Sequence, residues 1–421
     1  MIHKKVISLK SFLLSGGAFV ALNFLGNLFE LGFNGVLVRL PEGGYATVGV
    51  LFKMFFLIAA PLASIQLVVG KEISALTALD RYGEARYFAV LALRYVIVTA
   101  FAVMLVGLAF SPLIARFLRI GMTLPVTFTM LAIVLYSPIP VLFGIIQGMK
   151  KFLTLGLMNI SWSGNRFFLS LAALVLFSAG VNGIMITAVI AALLTIIVGY
   201  IPLRSLLRHA PVEVSRPEIR RAFAFAVPIA VMLYCVTFMR GVDVFVSTRY
   251  FTVVAKNAYM LASMVGSAFF TLSGIFMVMY PTVSHETTLN RNPIRFLFRS
   301  MLFTCSLSLA GIAFAWFFPG LVTMIFAFGK EMPGAEPLVR IVGIMVLPLS
   351  LVYLITNYFL AQHIAGFLPI LIGGSVFEAA LVFLMHGSPL QLLGAVGISN
   401  SLTLAGMLMY LWKKHRYYGQ V

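Results

Sequence analysis

Eight charged side chains fall inside apolar runs long enough to cross a bilayer and away from the basic joints: Glu30, Lys53, Arg94, Arg166, Arg240, Asp243, Arg340 and Glu378. A charge at the bilayer centre costs about 3 kcal/mol on insertion scales, so such a residue is expected to face a bundle interior or a wet cavity. Five of the eight are cations and three are acids. Guanidinium and ammonium groups recognise phosphate and carboxylate, so the excess points to an anion held by charge, not to bond-making chemistry.

Arg166 is the leading candidate for an anion-binding cation. It lies near the midpoint of its apolar run, within the polar stretch Asn159, Ser161, Ser163 and Asn165, where snorkelling to either interface is difficult. Lys53 is the second, although its long stem could also reach the outer surface. Arg94 and Arg340 sit nearer the ends of their runs and read more simply as snorkelling residues. Asn23, Asn27, Glu30 and Asn34 follow one another at steps of 4, 3 and 4 and therefore share one helical face. That face lines a cavity or forms an interhelical hydrogen-bond seam. Arg240 and Asp243, three residues apart, can pair along a helix, either as a static pair or as a gate that opens. Glu378 is available to offset one of the cations. The site expected is thus Arg166, Arg240, Lys53, Asn27 and Asn34 for substrate, with Glu30, Asp243 and Glu378 for gating or coupling.

The residues needed for catalysis are missing. Asp80 and Asp243 are the only aspartates, and His3, His209, His285, His363, His386 and His415 lie mainly at joints and termini without ligand spacing. There is no phosphate-cradling glycine loop and no nucleophile beside a base, so no catalytic residue, metal or cofactor is expected. A membrane glycosyltransferase or polymerase would need acids in a sizeable polar loop, and the longest joint, Arg204 to Arg221, is short. Cys235 and Cys305, each inside an apolar run, read as small buried residues.

The elements that must position these groups are helices crossing a membrane. Of 421 residues, 61% are apolar and 10% are charged, which cannot build a water-soluble surface. A spanning helix needs about 20 mostly apolar residues. The runs predict twelve spans, near 11–38, 44–69, 87–110, 124–147, 152–178, 182–203, 222–248, 257–283, 296–319, 338–361, 365–385 and 390–412. The first run is too long for a signal-peptide core and is read as a retained span.

The net charge of +18 is distributed by joint, not gathered in one patch. Every second joint is basic: Lys4, Lys5 and Lys10; Lys71, Arg81 and Arg86; Lys150 and Lys151; Arg204, Arg208, Arg216, Arg220 and Arg221; Arg291, Arg295 and Arg299; Lys413, Lys414 and Arg416. The intervening joints hold only Arg39, Arg116, Arg119, Arg249, Lys256 and Lys330. This alternation is the positive-inside pattern; it sets both termini in the cytoplasm and speaks against a nucleic-acid partner.

Sliding the chain on itself by about 210 residues brings landmarks into register. Arg39 falls on Arg249, Arg81 on Arg291 and Glu30 on Arg240; at a slightly smaller offset Ser111-Pro112-Leu113 matches Phe318-Pro319-Gly320. The expected architecture is all-α and integral to the membrane. It has two pseudo-symmetric six-helix bundles, 1–203 and 222–421, around a central cavity, joined by a basic cytoplasmic linker, 204–221.

Several segments carry a family resemblance. Gly43-Gly44-Tyr45-Ala46-Thr47-Val48-Gly49 after the first span resembles the G-x-Y element of bacterial polysaccharide flippases, the Wzx-like branch of the superfamily that also holds lipid II flippases and multidrug exporters. Arg240 to Phe251, RGVDVFVSTRYF, followed by Tyr259, is similar to that family's seventh-helix pattern. So are Pro281-Thr282-Val283-Ser284-His285, Phe328-Gly329-Lys330, Ala335-Glu336-Pro337-Leu338 and Tyr358-Phe359-Leu360-Ala361. The resemblance implies a flippase in the bacterial inner membrane. Its cargo would be a polyprenyl-diphosphate-linked oligosaccharide for polysaccharide biosynthesis, moved to the outer leaflet by alternating access. The expected partners are that cargo and membrane lipids, with a polysaccharide polymerase as a further candidate. The alternative within the superfamily is a cation-coupled multidrug exporter, for which the net positive interior is a poor match. Lipid II flippases carry two helices beyond these twelve.

Overall fold

A computed structural model describes residues 9–41, 43–272 and 294–418. The sequence motif at 281–285 and Arg291 lie outside the described residues.

All regular structure described is helical. The first half supplies α1 (Leu9–Val38), α2 (Gly44–Ala78), α3 (Tyr82–Ala109), α4 (Ser111–Phe117), α5 (Leu124–Tyr136), α6 (Pro138–Gly148), α7 (Phe152–Phe177) and α8 (Val181–Leu207). The second supplies α9 (Arg216–Met239), α10 (Val242–Tyr250), α11 (Val253–Leu272), α12 (Ile294–Phe317), α13 (Pro319–Phe326), α14 (Ala335–Ala361), α15 (Leu368–Leu384) and α16 (Pro389–Tyr418). Eleven described helical stretches are long and apolar enough to cross a membrane, and α15 is a shorter apolar helix. The protein is a multi-pass membrane protein. Its outward faces carry large apolar residues such as Val175, Leu176, Phe177 and Leu384, as contact with lipid requires.

The helix boundaries depart from hydropathy in three places. The predicted fourth span is broken between Tyr136 and Pro138, because a proline ring lacks the N–H that would continue the ladder and is best accepted in a first turn. The predicted seventh span breaks at Arg240-Gly241, where Gly241 has φ −147° and ψ −15°. Helix α8 runs on to Leu207 and α9 begins at Arg216, so the central joint is shorter than expected. The two matched Pro-containing motifs each form a short helix, α4 and α13. Several helices end alike: Asp80, Arg119, Lys150, Phe328 and His363 take positive φ, and the next N–H bonds back to the carbonyl five residues earlier, as Arg81 does to Leu76 at 2.9 Å.

The described chain forms two compact units. One comprises Met1–Leu40, Ile58–Arg116 and Ile120–Ala230; the other comprises Pro41–Leu57, Phe117–Arg119 and Val231–Val421. Helices α2 and α9 therefore contribute to both.

In the first unit α7 is central, packed between α1 and α8, and α8 also packs on α5 and α6. Small residues let backbones approach. A Cβ on Gly144 of α6 would lie 2.5 Å from the Gln66 carbonyl oxygen of α2. In the second unit α14 is central, against α11, α12 and α16, and α15 packs on α16. The C-terminal half of α14, from Leu349 to Ala361, is almost continuously buried, because neighbours enclose that helix on several sides.

Candidate functional site

The polar face of α1 meets α7 in the first unit. The Asn159 amide donates to Asn23 Oδ1 at 2.7 Å, and Asn23 donates to its own helix at the Phe19 carbonyl, 3.0 Å. Asn23 is thus interhelical glue. Two turns further along, Arg166 Nη1 reaches Glu30 Oε1 at 3.0 Å. The two partners differ sharply in exposure: the Arg166 side chain is 3% exposed and that of Glu30 is 39% exposed.

Aromatic rings complete the Arg166 pocket. Its guanidinium carbon lies 4.3 Å from the Phe33 ring centroid and 5.1 Å from that of Trp162, and the Trp162 ring packs 4.9 Å from Tyr136 of α5. Each such cation–π contact contributes about 0.5–2 kcal/mol, more where water is excluded. These rings hold the cation without neutralising it, and its charge is balanced by a carboxylate that faces the open side. Asn34 is buried and Asn27 exposed. The helical stripe therefore serves two purposes, a seam at Asn23 and an open edge at Asn27 and Glu30. Trp162 and Phe33 were not expected as site residues; their positions one helical turn from Arg166 and from Glu30 were the available signal.

The second unit gathers four more of these charges, Lys53, Arg240, Asp243 and Glu378. Lys53 of α2 donates from Nζ to the Arg240 carbonyl oxygen at 2.8 Å, at the break between α9 and α10. Arg240 places its guanidinium carbon 4.1 Å from the Phe270 ring centroid. Asp243 does not pair with Arg240, as three-residue spacing on one helix had predicted. The helix is broken between them, and Asp243 Oδ2 instead accepts from Tyr259 Oη of α11 at 2.7 Å. Its Oδ1 has no hydrogen-bond partner among the described residues.

Glu378 of α15 is completely buried, and neither carboxylate oxygen has a hydrogen-bond partner among the described residues. It was expected to offset a cation; the fold instead brings it within electrostatic reach of Asp243, because α10 packs against α15. Two acids and one tyrosine hydroxyl thus share a buried region of the second unit. Beside it, a cavity of about 30 Å³ is lined by Arg240, Asp243, Tyr259, Ser263, Ser267, Asn400 and apolar side chains, room for a water molecule or a small ion. Asn400, which donates to the Met345 carbonyl at 3.0 Å, leaves its Oδ1 without a hydrogen-bond partner among the described residues. Tyr259 and Asn400 line this cavity, and charge-based reading could not find them, since a neutral polar group in a span gives a weak signal. Arg94 and Arg340 are exposed and join neither group.

Among the described residues no group of three or more His, Cys, Asp or Glu side chains is arranged to hold a metal ion. Cys235 is buried and Cys305 partly so; both are free thiols.

No family model and no curated protein match the sequence. Solved structures match it in fold. The chain is similar to an inward-facing multidrug resistance MATE family transporter of the MOP superfamily, at 16% identity, 94% of this chain and 95% of that one, TM-score 0.69. It is similar to the lipid II flippase MurJ in an inward closed conformation, at 11% identity, 93% and 87% coverage, TM-score 0.69. A third is a MOP superfamily transporter from Pyrococcus furiosus whose binding pocket is described as of reverse polarity, at 14% identity, 96% and 94% coverage, TM-score 0.61. The fold is that of MATE-like MOP superfamily transporters, and these structural neighbours are transporters and flippases, not enzymes.

Proposed function

We propose that this protein is a flippase that carries a polyprenyl-diphosphate-linked oligosaccharide from the cytoplasmic to the outer leaflet of a bacterial inner membrane by alternating access. The observation that carries this reading is the pairing of buried Arg166 with half-exposed Glu30. A guanidinium held by aromatic faces and neutralised by a displaceable carboxylate is suited to exchange Glu30 for a diphosphate oxygen, because the fork geometry that accepts a carboxylate also accepts phosphate. Asn27, on the same open edge, is available for sugar hydroxyls, and buried Asn34 is the weaker of the two candidates. Arg240 and Lys53 are the second cationic pair of this reading.

Asp243 and Glu378 serve as the coupling site. A buried carboxylate with an oxygen left without a hydrogen bond is costly to keep charged, and two acids near one another gain from sharing a proton or small cation. Binding and release of that cation supply direction to the cycle. The bundles 1–203 and 222–421 are the bodies that alternate, with both termini and the linker 204–221 on the cytoplasmic side. A polysaccharide polymerase in the same membrane is the natural recipient of the product.

The same acids favour one second reading, a cation-coupled multidrug exporter, and the two readings divide on Arg166. The test is lipid-linked oligosaccharide on the cytoplasmic leaflet of depleted cells supplied with wild type, Arg166→Ala or Arg240→Ala at equal expression. Accumulation relieved by wild type alone supports the flippase. No accumulation on depletion removes it and leaves the exporter.

A further inference from the structure

The first unit carries a long groove outside the Arg166 site. Its body is an apolar cavity of about 480 Å³ between α2, α3, α5 and α9, lined by residues including Ile58, Leu62, Ile65, Ala100 and Ile133, which falls in the size range of small-molecule sites. A second cavity of about 380 Å³ continues along the same three helices α2, α3 and α9. Among the α2 residues that line them, Ile58, Leu62, Ile65, Val68, Glu72 and Ala75 recur at steps of three and four and so form one stripe. Phe223 lines the first cavity and Phe88 the second, and their rings stack with centroids 6.0 Å apart, so the two cavities are neighbours. The body is bordered by exposed Tyr95, Thr99 and Val103 and is therefore accessible from the lipid side.

The second cavity has a charged mouth of mixed sign. Lys71, Arg81 and Arg221 supply cations, and Glu72 and Glu218 supply carboxylates. Arg81 is pinned by Glu84, with its Nε donating to Oε1 at 2.6 Å. The mouth lies at the basic end of the helices, beside the central joint. That joint is docked onto the start of α3: Val212 N donates to the Gly83 carbonyl at 3.1 Å, and Tyr82 stacks on His209 at 4.9 Å.

We propose that this groove binds a bilayer lipid with an amine-bearing phosphodiester headgroup, phosphatidylethanolamine being the probe of choice. The charge pattern selects the occupant. A diphosphate at this mouth would be repelled by Glu72 and Glu218, and an anionic glycerol headgroup would bring these carboxylates no cation of its own. A zwitterionic head offers its phosphate to Lys71 and Arg221 and its ammonium to Glu72 and Glu218. One hydrocarbon chain follows the α2 stripe past Phe223 into the apolar body, where burial of its methylenes supplies most of the affinity. The site is separate from Arg166 and does not depend on the identity of the cargo.

Native mass spectrometry of the full-length protein tests it, with phosphatidylethanolamine, phosphatidylglycerol and a polyprenyl phosphate offered in equal amounts. The expected result is about tenfold preferential retention of phosphatidylethanolamine, a difference of roughly 1.4 kcal/mol. The doubly substituted Glu72→Gln, Glu218→Gln protein should lose that preference. Thr99→Trp, at an exposed position on the rim, should lower retention of all three lipids without disturbing the fold, and Ala100→Trp should do so more strongly. Equal or better retention of phosphatidylglycerol or polyprenyl phosphate by the wild type would overturn the proposal. So would phosphatidylethanolamine retention that survives both the Gln pair and Thr99→Trp.

Discussion

The Lys53 ammonium donates to the Arg240 carbonyl oxygen at 2.8 Å, joining residues 187 positions apart at the point where one helix stops and the next begins. A carbonyl at a helix break has lost its intrahelical donor, and inside a membrane water cannot replace it. Lys53 is therefore a cap as well as a charge. Lys53→Met should lower stability by about 1–3 kcal/mol, the cost of stranding a buried acceptor, read as an earlier thermal unfolding transition in detergent. Unchanged melting would show that the carbonyl finds another donor and that the cap is dispensable.

Arg166 and Glu30 should respond in opposite directions to a soluble diphosphate probe. Removing the carboxylate in Glu30→Gln takes away the competitor, so binding tightens, by up to about tenfold if 1.4 kcal/mol of the pairing is released. Arg166→Ala should lose binding altogether, and Arg166→Lys should retain only part of it, since an ammonium cannot reproduce the fork. Titration calorimetry of the three variants measures this. Weaker binding by Glu30→Gln would mean that the acid orients Arg166 and does not compete with cargo.

Tyr259→Phe should disturb the proposed coupling region more than its size suggests. Asp243 Oδ1 already has no hydrogen-bond partner among the described residues, and the substitution removes the 2.7 Å bond to Oδ2. The expected loss is about 1.5–3 kcal/mol for a bond to a charged group, together with an altered dependence of transport on the coupling cation. Reconstituted vesicles with imposed proton or sodium gradients report the second effect.

Glu378 sets function against stability. Replacing a fully buried carboxyl that has no hydrogen-bond partner with a neutral group of similar size should leave stability unchanged or raise it. Glu378→Gln is expected to melt at or above wild type yet to lose gradient-driven transport. A strongly destabilised Glu378→Gln would instead mark the acid as a structural member of the α15 packing.

Gly144→Ala tests the close approach of α6 to α2. The added Cβ would stand 2.5 Å from the Gln66 carbonyl oxygen and 3.0 Å from Val69 Cβ, and backbone cannot swing aside as a side chain can. A loss of about 1–3 kcal/mol is expected, typical of overpacking. Gly373→Ala, which meets nothing within 4 Å, is the matched control and should be tolerated.

Much of this protein was written along the chain. Apolar runs and alternating basic joints predicted the helical membrane class and the twelve spans, because transfer of a segment into a bilayer depends on its own composition and length. That Arg166 needs a partner was legible for the same reason: a guanidinium in mid-span carries a cost that a functional or structural partner must offset. Helix breaks at Pro138 and Gly241 were less legible, since hydropathy averages over a turn and does not see a single lost hydrogen bond.

Partnership was decided only by the tertiary structure. Glu30 and Arg166 are 136 residues apart, and nothing in the spacing of either says that α1 lies on α7. Arg240 and Asp243 looked like a pair at helical spacing, yet the break at Gly241 turned one toward Phe270 and the other toward Tyr259. Glu378 was expected beside a cation and lies near an acid. The insertion cost of a charge is set along one dimension, whereas the group that offsets it is chosen by how helices rotate and pack in three.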